Sequence, residues 1–136
     1  MKATVSRKAH FNAAHRLFKE GWSDEKNLQV FGKCSNPNYH GHNYELVVSV
    51  TGEIDQETGF VVDLKILKDI IKQEVEEPLD HKNLNIEVDA FKTLNPTTEN
   101  IAVYIYEKLK PHLKPELDLE VTLFETPRNF VTYSGE

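Results

Sequence analysis

Residues 3 to 15, ATVSRKAHFNAAH, alternate with period two, and this pattern limits the fold more than any other feature of the chain. Ala3, Val5, Ala9, Phe11 and Ala13 share one phase, and Thr4, Ser6, Lys8, His10 and Asn12 share the other. Successive side chains of a strand point to opposite faces, so the segment reads as a long half-buried strand. Residues 42 to 53 repeat the pattern, with Tyr44, Leu46, Val48 and Val50 inward and Asn43, Glu45, Ser49 and Thr51 outward. A turn around Asp55 to Gly59 closes this second strand.

Beyond Asp63 the period changes. Leu64, Leu67, Ile70, Ile71 and Val75 follow three-and-four spacing, Asp63 is placed as N-cap, and Pro78 is expected to stop the helix. A second helix opens in NPTTEN, with Thr97 as N-cap and Glu99 set favourably against the helix dipole. Ile101, Tyr104, Ile105 and Leu109 form its buried stripe, and Pro111 marks its end. Two strands follow, Leu117 to Thr126 and Asn129 to Tyr133. Strands, then helices, then strands favour an α+β domain: a four-stranded antiparallel sheet with two helices packed on one face. Residues 79 to 96 show little periodicity, and neither does the connection from Arg16 to Tyr39, which a compact domain retains only for function or leaves disordered.

At 136 residues the chain is expected to form one domain, 1–136, around one core. Its apolar runs are only a few residues long, so no bilayer span is expected, and its polar, alternating start does not resemble a signal peptide. The expected location is cytoplasmic. A net charge of -6 without a basic stripe argues against nucleic acid as a partner. An anionic ligand would need a local positive field from residues such as Arg7, Lys8, Arg16, Lys19 and Lys33.

Strand phase also bears on chemistry. His15 continues the inward face of the first strand, and His40 and His42 lead into the inward face of the second. If the two strands pair antiparallel, three imidazoles meet at one end of the sheet. Three neutral imidazoles suit zinc and leave a fourth position for water or substrate, as catalytic zinc sites do. The ordinary alternative for any one of them is a half-buried histidine bonded to a backbone carbonyl; the shared phase and shared end are what favour a site. His10 lies in the polar phase and His112 follows a helix-ending proline, so neither belongs to it.

Cys34, the only cysteine, cannot form an internal disulfide and sits in the polar loop KCSNPN, a poor place to bury a thiol. Beside a metal and a basic residue it could serve as base or nucleophile. In PLDHKN, Asp80 could orient His81 for proton relay, although from the dipeptide alone an exposed polar turn is the better reading. Glu125 extends the apolar row Leu117, Leu119, Val121 and Leu123, so its carboxylate either clears the core rim or awaits a donor-bearing ligand.

The stretches FNAAHRL, GKCSNPNYHGHNY, PLDHKNLN, PTTENIAVYIYEKL and LFETPRNFVTYSGE, in this order, resemble the successive motifs of the 6-pyruvoyl-tetrahydropterin synthase / 6-carboxy-tetrahydropterin synthase family. The resemblance implies the tunnelling fold, in which trimers close their sheets into a barrel and pair as a homohexamer with active sites between subunits. It implies Zn2+ on His15, His40 and His42, Cys34 as general base, Asp80 with His81 as relay, and Glu125, helped by Thr97 and Thr98, holding the pterin. The implied reaction turns 7,8-dihydroneopterin triphosphate into 6-pyruvoyl-tetrahydropterin with loss of triphosphate, without a nicotinamide cofactor. One branch of the family instead forms the 6-carboxy product of the queuosine pathway with release of acetaldehyde. It usually places three residues between the cysteine and HGH; here Ser35 to Tyr39 intervene, as in the pyruvoyl branch. A non-catalytic, zinc-stabilised pterin-binding module is the alternative of a different class.

Overall fold

The computed structural model describes residues 1–136. Strand β1, Lys2–His15, pairs antiparallel with β2, His40–Glu53, along its whole length, from Lys2 against Glu53 to His15 against His40. β2 pairs antiparallel with β4, Asp118–Phe124, and β4 with β5, Phe130–Tyr133. A fifth strand, β3, is only Lys82–Asn83 and runs parallel to β1 beside Ala13 and Ala14. The sheet order is therefore β3-β1-β2-β4-β5, four antiparallel strands with a short parallel one added.

The alternation produces two unlike faces. Phe11, Tyr44, Leu46, Val48, Val50, Val121 and Leu123 are fully buried against the helices. On the outer face the hydroxyls of Thr4 and Thr51, Ser6 and Ser49, and Thr122 and Thr132 pair at 2.6, 2.8 and 3.1 Å.

Both expected N-caps form: Asp63 accepts the Lys65 N–H and Thr97 the Asn100 N–H. The helix Leu64–Ile71 does not stop at Pro78. It widens into a π segment, Lys72–Glu76, and ends one residue beyond the proline in Glu77–Leu79. Proline is tolerated in the first turn of a helical segment, where its missing N–H has no partner to lose, and the π segment restarts the hydrogen-bond count just before it. The second long helix is Thr98–Leu109, followed by a 3₁₀ turn through Pro111.

The stretch from Arg16 to Tyr39 does contain structure: a helix, Asp24–Phe31, capped by Ser23, and a 3₁₀ turn, Gly32–Ser35. Asn27 is the helix's only buried residue, while Leu28 and Val30 are exposed, so no apolar stripe announced it. Residues 79 to 96 likewise hold β3 and two short turns, Leu84–Glu87 and Asp89–Phe91.

Candidate metal centre and its surroundings

The register of β1 and β2 sets the histidines. His15 opposes His40, and His42 opposes Ala13, whose small side chain leaves room for a ring. The His42 ring lies 4.9 Å from that of His15 and 4.5 Å from that of His40. Below them Phe11 stacks on Tyr44 at 4.9 Å and floors the site. The three imidazoles thus gather at the end of the sheet that strand phase indicated.

His15 is fully buried, and its Nδ1 lies 2.8 Å from the Pro96 carbonyl. A carbonyl only accepts, so Nδ1 carries the proton and Nε2 keeps its lone pair. Nε2 of His15 and Nε2 of His42 are both buried without a partner. An orphaned buried polar atom is costly, and two on rings 4.9 Å apart are what a cation would satisfy. A backbone carbonyl holding the far nitrogen is also how metal-bound histidines are commonly oriented. Burial lowers the pKa of both rings, only partly offset for His15 by its bond to Pro96 and for His42 by Glu125, which favours the neutral, ligating form.

The tightest donor group is His15, Cys34 and His42, whose ligand atoms lie within 4.8 Å of one another. His40 contacts His42 but is more exposed and stands outside that group. Nitrogen and thiolate donors at such separations suit zinc. Cys34 arrives from the 24-to-35 segment, which is tied to the end of β1: Leu17 N–H donates to the Cys34 carbonyl at 2.7 Å, and Arg16 Nε to that of Ser35 at 2.9 Å. Burial, then the Glu125 charge, pushes the Cys34 thiol up, so without added positive charge it stays protonated at neutral pH.

The segment leaving His15 has no strand partner, and asparagines take that role. Asn85 accepts from Arg16 N–H and donates to Arg16 C=O, both at close range; Asn95 accepts from Phe18 N–H; Asn27 accepts from Lys19 N–H. Asn85, Asn95, the Pro96 carbonyl and Tyr44 act through contacts distant along the chain, and Asn27 through a loop backbone, so no sequence pattern marks them. Trp22 lies in this segment too, stacked on Phe31 with Lys26 Nζ 4.1 Å from its ring.

Glu125 does not clear the rim. Its Oε2 accepts from Thr98 Oγ1 at 2.8 Å, and its Oε1 lies 4.0 Å from His42 Nε2. The Thr97 hydroxyl is occupied as helix cap, leaving Thr98 as the threonine that touches the carboxylate.

Asp80 and His81 lie elsewhere, at the outer edge of β1. Asp80 Oδ1 accepts the Asn12 N–H, and Asn12 C=O accepts the His81 N–H. Asp80 Oδ2 meets His81 Nδ1 at 3.0 Å, with the imidazole 83% exposed. The bond from Asn12 is the main reason the Asp80 carboxyl is held below its usual range. His81 sits at φ 58°, a left-handed conformation uncommon outside glycine. No hydrogen bond or ion pair within the chain links this pair to Cys34.

Residues 4–136 match the family profile described as 6-pyruvoyl tetrahydropterin synthase. The chain is 50% identical over 135 residues to the 6-pyruvoyl tetrahydrobiopterin synthase of Pongo abelii, covering 99% of this chain and 93% of that one. It is 49% identical, with the same coverage, to the enzyme of that name from Homo sapiens. The solved structure of Caenorhabditis elegans 6-pyruvoyl tetrahydropterin synthase superposes with a TM-score of 0.92 at 43% identity, covering 100% of this chain and 97% of that one.

Proposed function

Because the chain belongs to the 6-pyruvoyl tetrahydropterin synthase family, we propose that it is a carbon-oxygen lyase of tetrahydrobiopterin-type biosynthesis. Its substrate is 7,8-dihydroneopterin triphosphate and its products are 6-pyruvoyl-tetrahydropterin and triphosphate. The observation that carries this reading is a thiol gathered within 4.8 Å of the ring nitrogens of two histidines whose buried Nε2 atoms are orphaned, beside a threonine-held carboxylate.

His15, His40 and His42 hold Zn2+ in this reading, with Cys34 left free as base. Bound zinc supplies positive charge that acidifies the side-chain hydroxyls and adjacent C–H groups and favours the Cys34 thiolate. Glu125, kept in place by Thr98, accepts from the amidine edge of the pterin and sets the ring against the histidines. The hydrogens on the first side-chain carbon and its hydroxyl move to the pterin ring, and that carbon becomes a ketone. A proton then leaves the second carbon as the C–O bond on the third breaks and triphosphate departs with the electron pair. The resulting enol ketonises to a methyl ketone. Cys34 and the Asp80–His81 pair carry the protons, and no external reductant enters.

Within one chain no hydrogen bond or ion pair joins the Asp80–His81 pair to Cys34, so in this reading it acts on the site of a neighbouring copy. Two features support this assembly. β5 and most of β1 are open sheet edges, and Ile86, Leu94 and Phe130 leave large apolar surfaces exposed. A trimer closing its sheets into a barrel, stacked as a hexamer, satisfies both. We take residues 1–136 as one domain and place the protein in the cytoplasm; no helix is long and apolar enough to cross a membrane.

The test is incubation of zinc-loaded protein with 7,8-dihydroneopterin triphosphate, followed by mass spectrometry and assays for triphosphate and acetaldehyde. Triphosphate with the pyruvoyl product is the expected result. Acetaldehyde with a 6-carboxy product would move the chain to the queuosine branch, and absence of turnover with retained pterin binding would make it a binding module.

A further inference from the structure

Arg16 follows His15 directly and is held more firmly than a surface arginine needs to be. Asn85 bonds both its backbone N–H and its C=O. Its Nε donates to the Ser35 carbonyl at 2.9 Å, and its guanidinium lies 4.1 Å over the Phe18 ring. The terminal nitrogens of this anchored group have no protein acceptor, and no carboxylate forms an ion pair with it. Lys33 has no side-chain hydrogen bond or ion pair either. In a chain of net charge -6, both unpaired cations line the same cavity of about 580 Å³.

The composition of that cavity narrows its ligand. Leu28 and Pro37 are the only apolar side chains among the lining residues, too little apolar wall to favour a base or an acyl chain. Ser35, Asn36 and His40 add polar wall, and Asp24 is the one acid. A pre-oriented guanidinium with free terminal N–H groups beside an unpaired ammonium suits a chain of phosphates: arginine reads the oxygens in pairs and lysine adds a point charge.

Neighbouring contacts supply an order. Glu125 lies 4.0 Å from His42, the His42 and His40 rings are 4.5 Å apart, and His40 lines the cavity with Arg16 and Lys33. Carboxylate, histidines and cations thus succeed one another as pterin, hydroxylated side chain and phosphates do in the proposed substrate. We propose that this cavity is the seat of the substrate's triphosphate, with Arg16 and Lys33 as its binding residues, an assignment that rests on the substrate reading above. The same cations then hold the leaving group while the C–O bond breaks and retain it until product release.

Lys33→Gln is the cleaner variant, since Arg16 also bonds the Ser35 carbonyl. On zinc-loaded protein three quantities are read: KM for 7,8-dihydroneopterin triphosphate, Ki for inorganic triphosphate, and Kd for phosphate-free 7,8-dihydroneopterin. Losing one charged hydrogen-bond donor should raise KM and Ki by about tenfold and leave Kd unchanged. Asp24→Asn should lower KM and Ki. Turnover by the wild type with Ki unmoved in both variants would overturn the cavity assignment alone. A parallel loss of phosphate-free pterin affinity would overturn it as well, by showing a general disturbance of the site. Triphosphate binding that depends on Lys33 without any turnover would sustain the anion site and overturn the substrate reading.

Discussion

Two halves of the same β1–β2 ribbon treat their buried atoms in opposite ways. In one half, Phe11 and Tyr44 stack, Val48 and Val50 continue the row, and all four are fully buried among apolar neighbours. A few residues along, in the same phase and register, His15 and His42 bury nitrogens with no partner. Alternation decides which side chains go inward and says nothing of whether they will be content there. The first half gains from burial, about 1.5–3 kcal/mol for each large apolar side chain. The second gives up part of that gain by desolvating polar groups and recovers it only when a cation arrives.

The widest separation of the two halves is expected from Cys34→Ala. Turnover should fall by about 10³-fold, as for loss of a general base, with melting temperature and zinc content unchanged. Loss of zinc would instead make Cys34 a ligand in place of His40.

Phe11→Ala strikes the other half. It should cost about 3–5 kcal/mol of stability, read as a lower denaturation midpoint. Zinc stoichiometry of the folded fraction should stay intact, and a proportional loss of zinc would show that the halves are mechanically coupled.

On acidification the histidine half responds first. Burial holds the folded-state pKa of His15 and His42 below the ordinary 6.5, so the unfolded chain takes up protons first. Stability of chelator-treated protein should therefore be level above pH 6.5 and decline as pH falls from there towards the folded values. A midpoint that rises on acidification would contradict the neutral, buried state of these rings.

The smallest effect belongs to the outer face. Ser6→Ala breaks an exposed hydroxyl pair and should shift stability by only about 0.5 kcal/mol. Urea denaturation measures it, and a much larger loss would mean that this face is covered in the assembled protein.

Both halves were legible in the sequence because a strand's phase is local: ATVSRKAHFNAAH and HGHNYELVVSV contain their own inside and outside. The caps Asp63 and Thr97, and Glu125 at the end of an apolar row, were legible for the same reason. Other features carry no such phase. The helix Asp24–Phe31 buries only Asn27, whose amide serves the loop backbone rather than a core, so periodicity had nothing to register. Pro78 stands inside its helix because the π segment before it alters the hydrogen-bond count. The approach of Cys34 to His15 is made by two bonds accepted by the backbone carbonyls of Cys34 and Ser35, and every residue type carries such an acceptor. That the Asp80–His81 pair makes no hydrogen bond or ion pair with that thiol was equally invisible, since the pair is held instead by Asn12 at the edge of β1.

Trp22 is the chain's one tryptophan, stacked on Phe31 under the Lys26 ammonium. The segment that delivers Cys34 and walls the cationic cavity therefore carries a built-in optical label. Its emission reports this segment, while the sheet contributes only tyrosine and phenylalanine. Ligand arrival at this end of the molecule can be followed by stopped-flow on unmodified protein, with the rest of the fold spectrally silent under red-edge excitation.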